Sequence, residues 1–184
     1  LTYYKDSGLR PLVIDSTNVP YPELARFPNV DYRHCPNVRF LTKITQPVLD
    51  IATPYTLFCA DDSFIVPRAA AACVDFLEAH PDHHAAHGRQ ISVTREGGAL
   101  VYAPCYVQDA QLCIDAESPA ERLKQVYRPY SPTFYAVHRT ESVRDFVKTA
   151  SGRKINDVML ELLSAMTGAV NGKHAVLPLL YHVT

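Results

Sequence analysis

The chain has 184 residues, 47% of them hydrophobic and 20% charged, with a formal net charge of -1. That describes one globular domain, residues 1–184, with a substantial core. It gives no basic excess to mark nucleic acid as the main partner, and no apolar run approaches the length of a transmembrane segment.

The first elements are short. Leu1 to Asp6 reads as the last turns of an amphipathic helix, stopped by Gly8. Pro11 to Ile14 is a compact apolar strand that runs into Asp15-Ser16-Thr17-Asn18, a polar loop rich in side-chain acceptors. Val30 to His34 is a second short strand, bounded by Asn29 and Pro36. Asn37 to Thr53 has helical spacing at Val38, Leu41, Ile44, Val48 and Ile51, and Pro54 stops it. Tyr55 to Ala60 is strand-like in length and composition and ends in two adjacent carboxylates, Asp61 and Asp62. Pro67 then opens an Ala-rich helix over Arg68 to Ala79.

The second half repeats the alternation. Ala85 to Val93 reads as a strand carrying His87-Gly88-Arg89, and Gly97-Gly98 is a hairpin signal that returns Ala99 to Val107 as its partner. His83 and His84 fall in the preceding helix-to-strand turn, so His83, His84 and His87 are not expected to form a metal cluster. Ser118-Pro119-Ala120-Glu121 is a capping box with proline at the first helical position, opening a helix to about Tyr127. After a loop over Arg128 to Pro132, Thr133 to His138 is a strand and Glu141 to Thr149 a short helix. Ile155 to Thr167 is a stronger helix, and Ala175 to Val183 closes the chain as a strand broken by Pro178. Strands alternating with helices predict an α/β sheet, mixed because of the hairpin. Pro11–Ile14, Tyr55–Ala60 and Ala85–Val93 are expected in one sheet. The cysteines (Cys35, Cys59, Cys73, Cys105, Cys113) are odd in number and without a Cys-x-x-Cys pair. Reduced, buried thiols in a cytoplasmic protein are the expectation, and a structural zinc site is not.

Asp61 and Asp62 carry the sharpest chemistry. Two carboxylates at a strand end repel each other unless a cation or a donor network lies between them. Oxygen ligands of this kind suit magnesium or manganese bridging to phosphates. The competing reading is a solvated Asp-Asp turn before the next helix.

In this order the chain resembles the GT-A nucleotide-sugar glycosyltransferases, family 2-like. The matching stretches are Pro11-Leu-Val-Ile-Asp-Ser, the helix with Leu41-Thr-Lys-Ile, Thr53 to Phe64, His87-Gly-Arg, Thr133-Phe-Tyr-Ala-Val-His-Arg, and Gly172-Lys through Leu180-Tyr-His-Val. The resemblance implies a GT-A-like mixed sheet flanked by helices. It implies a DXD-like motif in which Asp62, assisted by Asp61, holds Mn2+ or Mg2+ on the diphosphate of a nucleotide-sugar donor, with His182 a further metal ligand. Asp15, Ser16, Lys43, Asp61 and Arg89 are then donor-binding candidates, and the acceptor, a glycan, lipid or protein, is open. The family places an acidic base about eleven positions before the glycine that precedes the last strand. Counting from Gly172 gives Glu161; counting from Gly168 gives Asp157. Two departures stand out. Ser63 occupies the place of a third carboxylate, and the family begins with a strand ahead of the first one visible here, so an N-terminally truncated domain is expected. A GT-A-like module that binds without turnover is the alternative. An aspartyl phosphohydrolase ranks behind both, because neither Asp61 nor Asp62 is followed two residues on by a carboxylate.

Overall fold

The computed structural model describes residues 1–105, 113–127 and 133–184. The predicted ends of the second hairpin strand (Tyr106, Val107) and the loop 128–132 lie outside the described residues.

The long strands pair as their patterns require. Strands β5 (His83–Glu96) and β6 (Ala99–Pro104) form the hairpin, Glu96 opposite Ala99, with Gly97 and Gly98 both at positive φ, as a two-residue primed turn demands. β5 also pairs in parallel with β8 (Lys173–Val183) and antiparallel with β7 (Val137–Arg139). β3 (Tyr55–Thr56) pairs with β7 at one edge, and β4 (Phe64–Ile65) pairs with β8 at the other. The order β3-β7-β5-β8-β4, with β6 on β5, is a curled mixed sheet.

The expectation of one sheet is corrected. β1 (Leu12–Asp15) and β2 (Asp31–His34) pair in parallel as a separate two-stranded sheet. Tyr55 to Ala60 is not a strand through its length: only Tyr55 and Thr56 keep ladder bonds, and they sit at the sheet's edge. Beyond them Phe58 turns aside and stacks on Phe134, ring centroids 4.4 Å apart and nearly parallel, so aromatic packing displaces strand pairing. The N-terminal helix shrinks to a single 3-10 turn, Thr2–Tyr4. Thr133 to Ala136 form a turn, and the strand begins only at Val137.

Local signals set several of the helix ends. α1 (Phe40–Asp50) runs through Pro47 and stops four residues before Pro54. α2 (Pro67–Ala79) starts on Pro67, and α3 (Pro119–Val126) has the predicted cap, Ser118 Oγ accepting from Glu121 N at 3.2 Å. α4 (Thr140–Ala150) and α5 (Asp157–Asn171) follow, the latter capped by Asn156, whose side chain accepts from Met159 N at 2.8 Å. Among the described residues α2, α4 and α5 pack against the sheet while α1 and α3 pack on other helices. α2 buries Ala69, Ala70, Cys73 and Leu77 against one sheet face through Ala86, Val137, Ala175 and Tyr181. α1, α4 and α5 share a second cluster around Phe134, Phe146 and Leu160, which Ile14 of β1 and Phe58 join from its margin. α3 closes on α5 through Val126, Ala165 and Ala169. The result is a single compact α/β domain. Among the described residues no helix is long and apolar enough to cross a membrane.

The cysteine expectation also changes. Of the five only Cys73 is buried, its thiol pushed up to about 12 by burial; Cys59 and Cys113 are exposed.

Candidate functional site

β8 does not run evenly along β5. Pro178 has no N–H to offer the ladder, and the register jumps there: Gly88 faces Leu177, but Arg89 faces Leu180 and Gln90 faces His182. Gly88 is required at this point, since a Cβ on it would lie 2.4 Å from the Leu179 carbonyl oxygen. At the far end of β8, β4 pairs with Ile65 opposite His182. The Asp61-Asp62 turn precedes β4 directly, closed by Ser63 N bonding to Ala60 O at 3.3 Å. The carboxylates are thus held by a turn, not by the end of a central strand.

These constraints build a cleft of about 270 Å³ lined by Ala60, Asp62, Ser63, Gln90, Cys105, Tyr135, His182 and Thr184. That is close to the lower end of small-molecule sites, about 300 Å³. Asp62 is exposed, and Ser63 Oγ donates to its Oδ1 at 3.1 Å. His182 is 3% exposed, its ring 5.2 Å from that of Tyr135. Burial lowers the His182 pKa, while the Asp62 charge acts in the opposite direction. Its Nδ1 lies 3.0 Å from Gln90 Oε1, and its Nε2 has no partner among the described residues. Tyr135 connects this wall to α5. Its phenol pKa is raised by burial first, then by the negative charges of Glu161, Asp62 and Cys59.

The predicted residues divide. Asp62 and His182, distant in sequence, meet at the cleft. Glu161 is half-buried behind Tyr135, within electrostatic reach of it, whereas Asp157 is exposed at the first position of α5. Asp61 is exposed in the turn, and neither it nor Arg89, exposed on β5, is among the lining residues. Asp15, Ser16 and Lys43 form a second group at the carboxyl end of β1. Lys43 Nζ donates to Ser16 Oγ at 2.5 Å. The Asp15 carboxylate accepts from the Tyr32 hydroxyl, and from Thr17 N at 2.8 Å and Thr17 Oγ1 at 2.7 Å, which is an Asx-turn. Those bonds, Tyr32 first, hold its pKa down to about 2.

A hard divalent cation needs six or more ligands, and magnesium takes only one or two carboxylates from protein when phosphates complete its shell. Among the described residues no group of three His, Cys, Asp or Glu side chains comes together to hold a metal. Asp62 and His182 both line the cleft, and a cation held there would need phosphate oxygens and water for its remaining ligands.

Sequence reasoning missed Gln90 and Tyr135 as cleft residues. Tyr135 lay inside a stretch already marked by the resemblance. Gln90 carried one weak signal, an uncharged polar side chain heading the run Ile91 to Val93. His83 and His84 open β5 rather than preceding it, and His84 and His87 are buried.

No known protein-family model matches the chain, and no curated protein matches it.

Proposed function

We propose that the chain is a GT-A-like, metal-dependent sugar transferase, moving a sugar from a nucleotide-diphosphate donor to an acceptor hydroxyl with net inversion. The observation that carries this reading is the meeting of Asp62 and His182, remote in sequence, on one cleft wall, with His182 Nε2 unpartnered. The cation, Mn2+ or Mg2+, offsets charge on the leaving diphosphate. Asp62 and His182 hold the cation side, Tyr135 forms the wall between, and Glu161 takes the acceptor proton as general base. Lys43 and Ser16 face the donor from the end of β1.

The test is calorimetry of uridine and guanosine diphosphates with and without manganese. Asp62→Asn is expected to remove the manganese-dependent part of binding; unchanged affinity and metal dependence would refute the reading.

A second reading, binding without turnover, is favoured by Ser63. Where a third carboxylate would add charge, its hydroxyl occupies an oxygen of Asp62. Diphosphate binding with no sugar release from any donor, in the presence of manganese, would select it.

A further inference from the structure

The two side chains at the back of the cleft are matched to each other. Gln90 and His182 are register partners only because β8 bulges past Pro178, and both are 3% exposed. Gln90 presents its amide oxygen to His182 Nδ1 at 3.0 Å. With the amide in this orientation its oxygen only accepts, so the imidazole donates from Nδ1 and carries the lone pair on Nε2, while the amide nitrogen of Gln90 is left buried without a partner among the described residues. The Tyr135 ring, 5.2 Å from the imidazole and tilted 37° to it, packs beside the imidazole. Nε2 is left buried with no partner among the described residues, and His182 lines the same cleft as Asp62.

We infer that Gln90 is the positioning residue of this site: it holds His182 in the one tautomer whose Nε2 can take a divalent cation beside Asp62. This rests on the cation reading of the cleft. A histidine that binds metal through one nitrogen commonly has the other anchored to an oxygen acceptor, which sets the tautomer and the ring plane. Carboxylates and backbone carbonyls are frequent anchors; here a neutral amide does the same task, and it leaves the net charge of the site to Asp62. In this role Gln90 acts through the orientation of His182.

The experiment uses the whole chain labelled with nitrogen-15, with the His182 ring signals assigned by their loss in His182→Asn. Long-range proton–nitrogen spectra without metal are expected to show His182 protonated at Nδ1 and bare at Nε2. Manganese chloride with inorganic pyrophosphate should then broaden the His182 signals selectively. Gln90→Leu should mix the tautomers and weaken manganese binding 10- to 100-fold. Gln90→Glu, which keeps an acceptor and adds a negative charge, should retain the tautomer and bind manganese at least as tightly. Should Gln90→Leu not fold, Gln90→Met gives the same comparison in a flexible apolar side chain. A wild-type His182 protonated at Nε2, or full manganese affinity in Gln90→Leu, overturns the inference while an Asp62-dependent metal site stands. No manganese binding at all, with or without pyrophosphate, removes the cation reading and the inference with it.

Discussion

The imidazole of His84 lies directly against Gly168 of α5: a Cβ on that glycine would come within 2.2 Å of His84 Nε2. The ring has little room to yield, because its Nδ1 lies 2.9 Å from Lys173 O and 3.2 Å from Gly172 O. Replacing glycine by alanine in a helix interior gains about 1 kcal/mol of propensity. Overpacking a buried contact costs about 1–3 kcal/mol, and the displaced hydrogen bond about 1 more. Gly168→Ala is therefore expected to destabilise by about 1–3 kcal/mol in urea unfolding. In a His84→Ala background the same change should become neutral or stabilising. An equal cost in both backgrounds would mean that His84 is not the obstacle.

Acid should unfold this protein early. His84, His87, His138 and His174 are all buried, with neighbouring rings 4.9 to 6.1 Å apart. Burial is the first cause of each depressed pKa: to about 3 for His84, about 4 for His87 and His138, and well below normal for His174. The charges facing them make matters worse. The histidines act on one another, joined by His83 and His182, and the Arg122 guanidinium on α3 acts on His84. The unfolded chain binds protons near pH 6.5, which the folded chain refuses until about pH 4 or below. Stability is thus fully present above about 6.5 and falls with pH between there and about 4. The slope is about 1.4 kcal/mol per pH unit for each histidine involved. Asp15 and Asp82, held down to about 2, act only below the ordinary carboxylate range. Among the described residues neither nitrogen of His174 has a hydrogen-bond partner, so His174→Leu should lower the acid midpoint without losing a bond. A flat stability profile from pH 7 to 5 would contradict this account.

Gly88 and Gly97 separate close approach from backbone conformation. Gly88→Ala would drive a Cβ into the Leu179 carbonyl, 2.4 Å away, and backbone cannot swing aside as a side chain can. About 3 kcal/mol of destabilisation is expected. The bulge that sets Gln90 opposite His182 would be disturbed with it. Gly97 has φ near 54° and nothing within 4 Å, so only its conformation matters. Gly97→Val should cost about 1–2 kcal/mol, and Gly97→Asn much less. Thermal unfolding of the three variants checks the order.

Glu161 and Asp157 can be told apart by two measurements. If Glu161 is the base, Glu161→Gln should cut turnover by roughly two to four orders of magnitude with donor binding intact, and Asp157→Asn should do much less. The reverse pattern would give the role to Asp157. Independently of any activity, Glu161→Gln should lower the Tyr135 phenol pKa in an ultraviolet titration, because it removes a negative charge that now raises it. Asp157→Asn should leave it unmoved.

What was legible in the sequence was local. Pro67, the Ser118 to Glu121 box and the Gly97-Gly98 pair act on atoms within a few residues, so the starts of α2 and α3 and the β5–β6 turn could be read directly. Periodicity and spacing do not pair Asp62 with His182; the cleft they share is a product of the fold. Periodicity says which residues are apolar, not which edge they will pair with. Only the tertiary structure put β1 and β2 in a sheet of their own, and ended β3 at Thr56 where Phe58 found Phe134. It alone drew four histidines into one buried cluster, and bulged β8 so that Gln90 meets His182. Each of those outcomes is a competition among contacts between distant segments. A short strand gains too little from its own few hydrogen bonds to hold its place against a stacked aromatic pair or a neighbouring carbonyl.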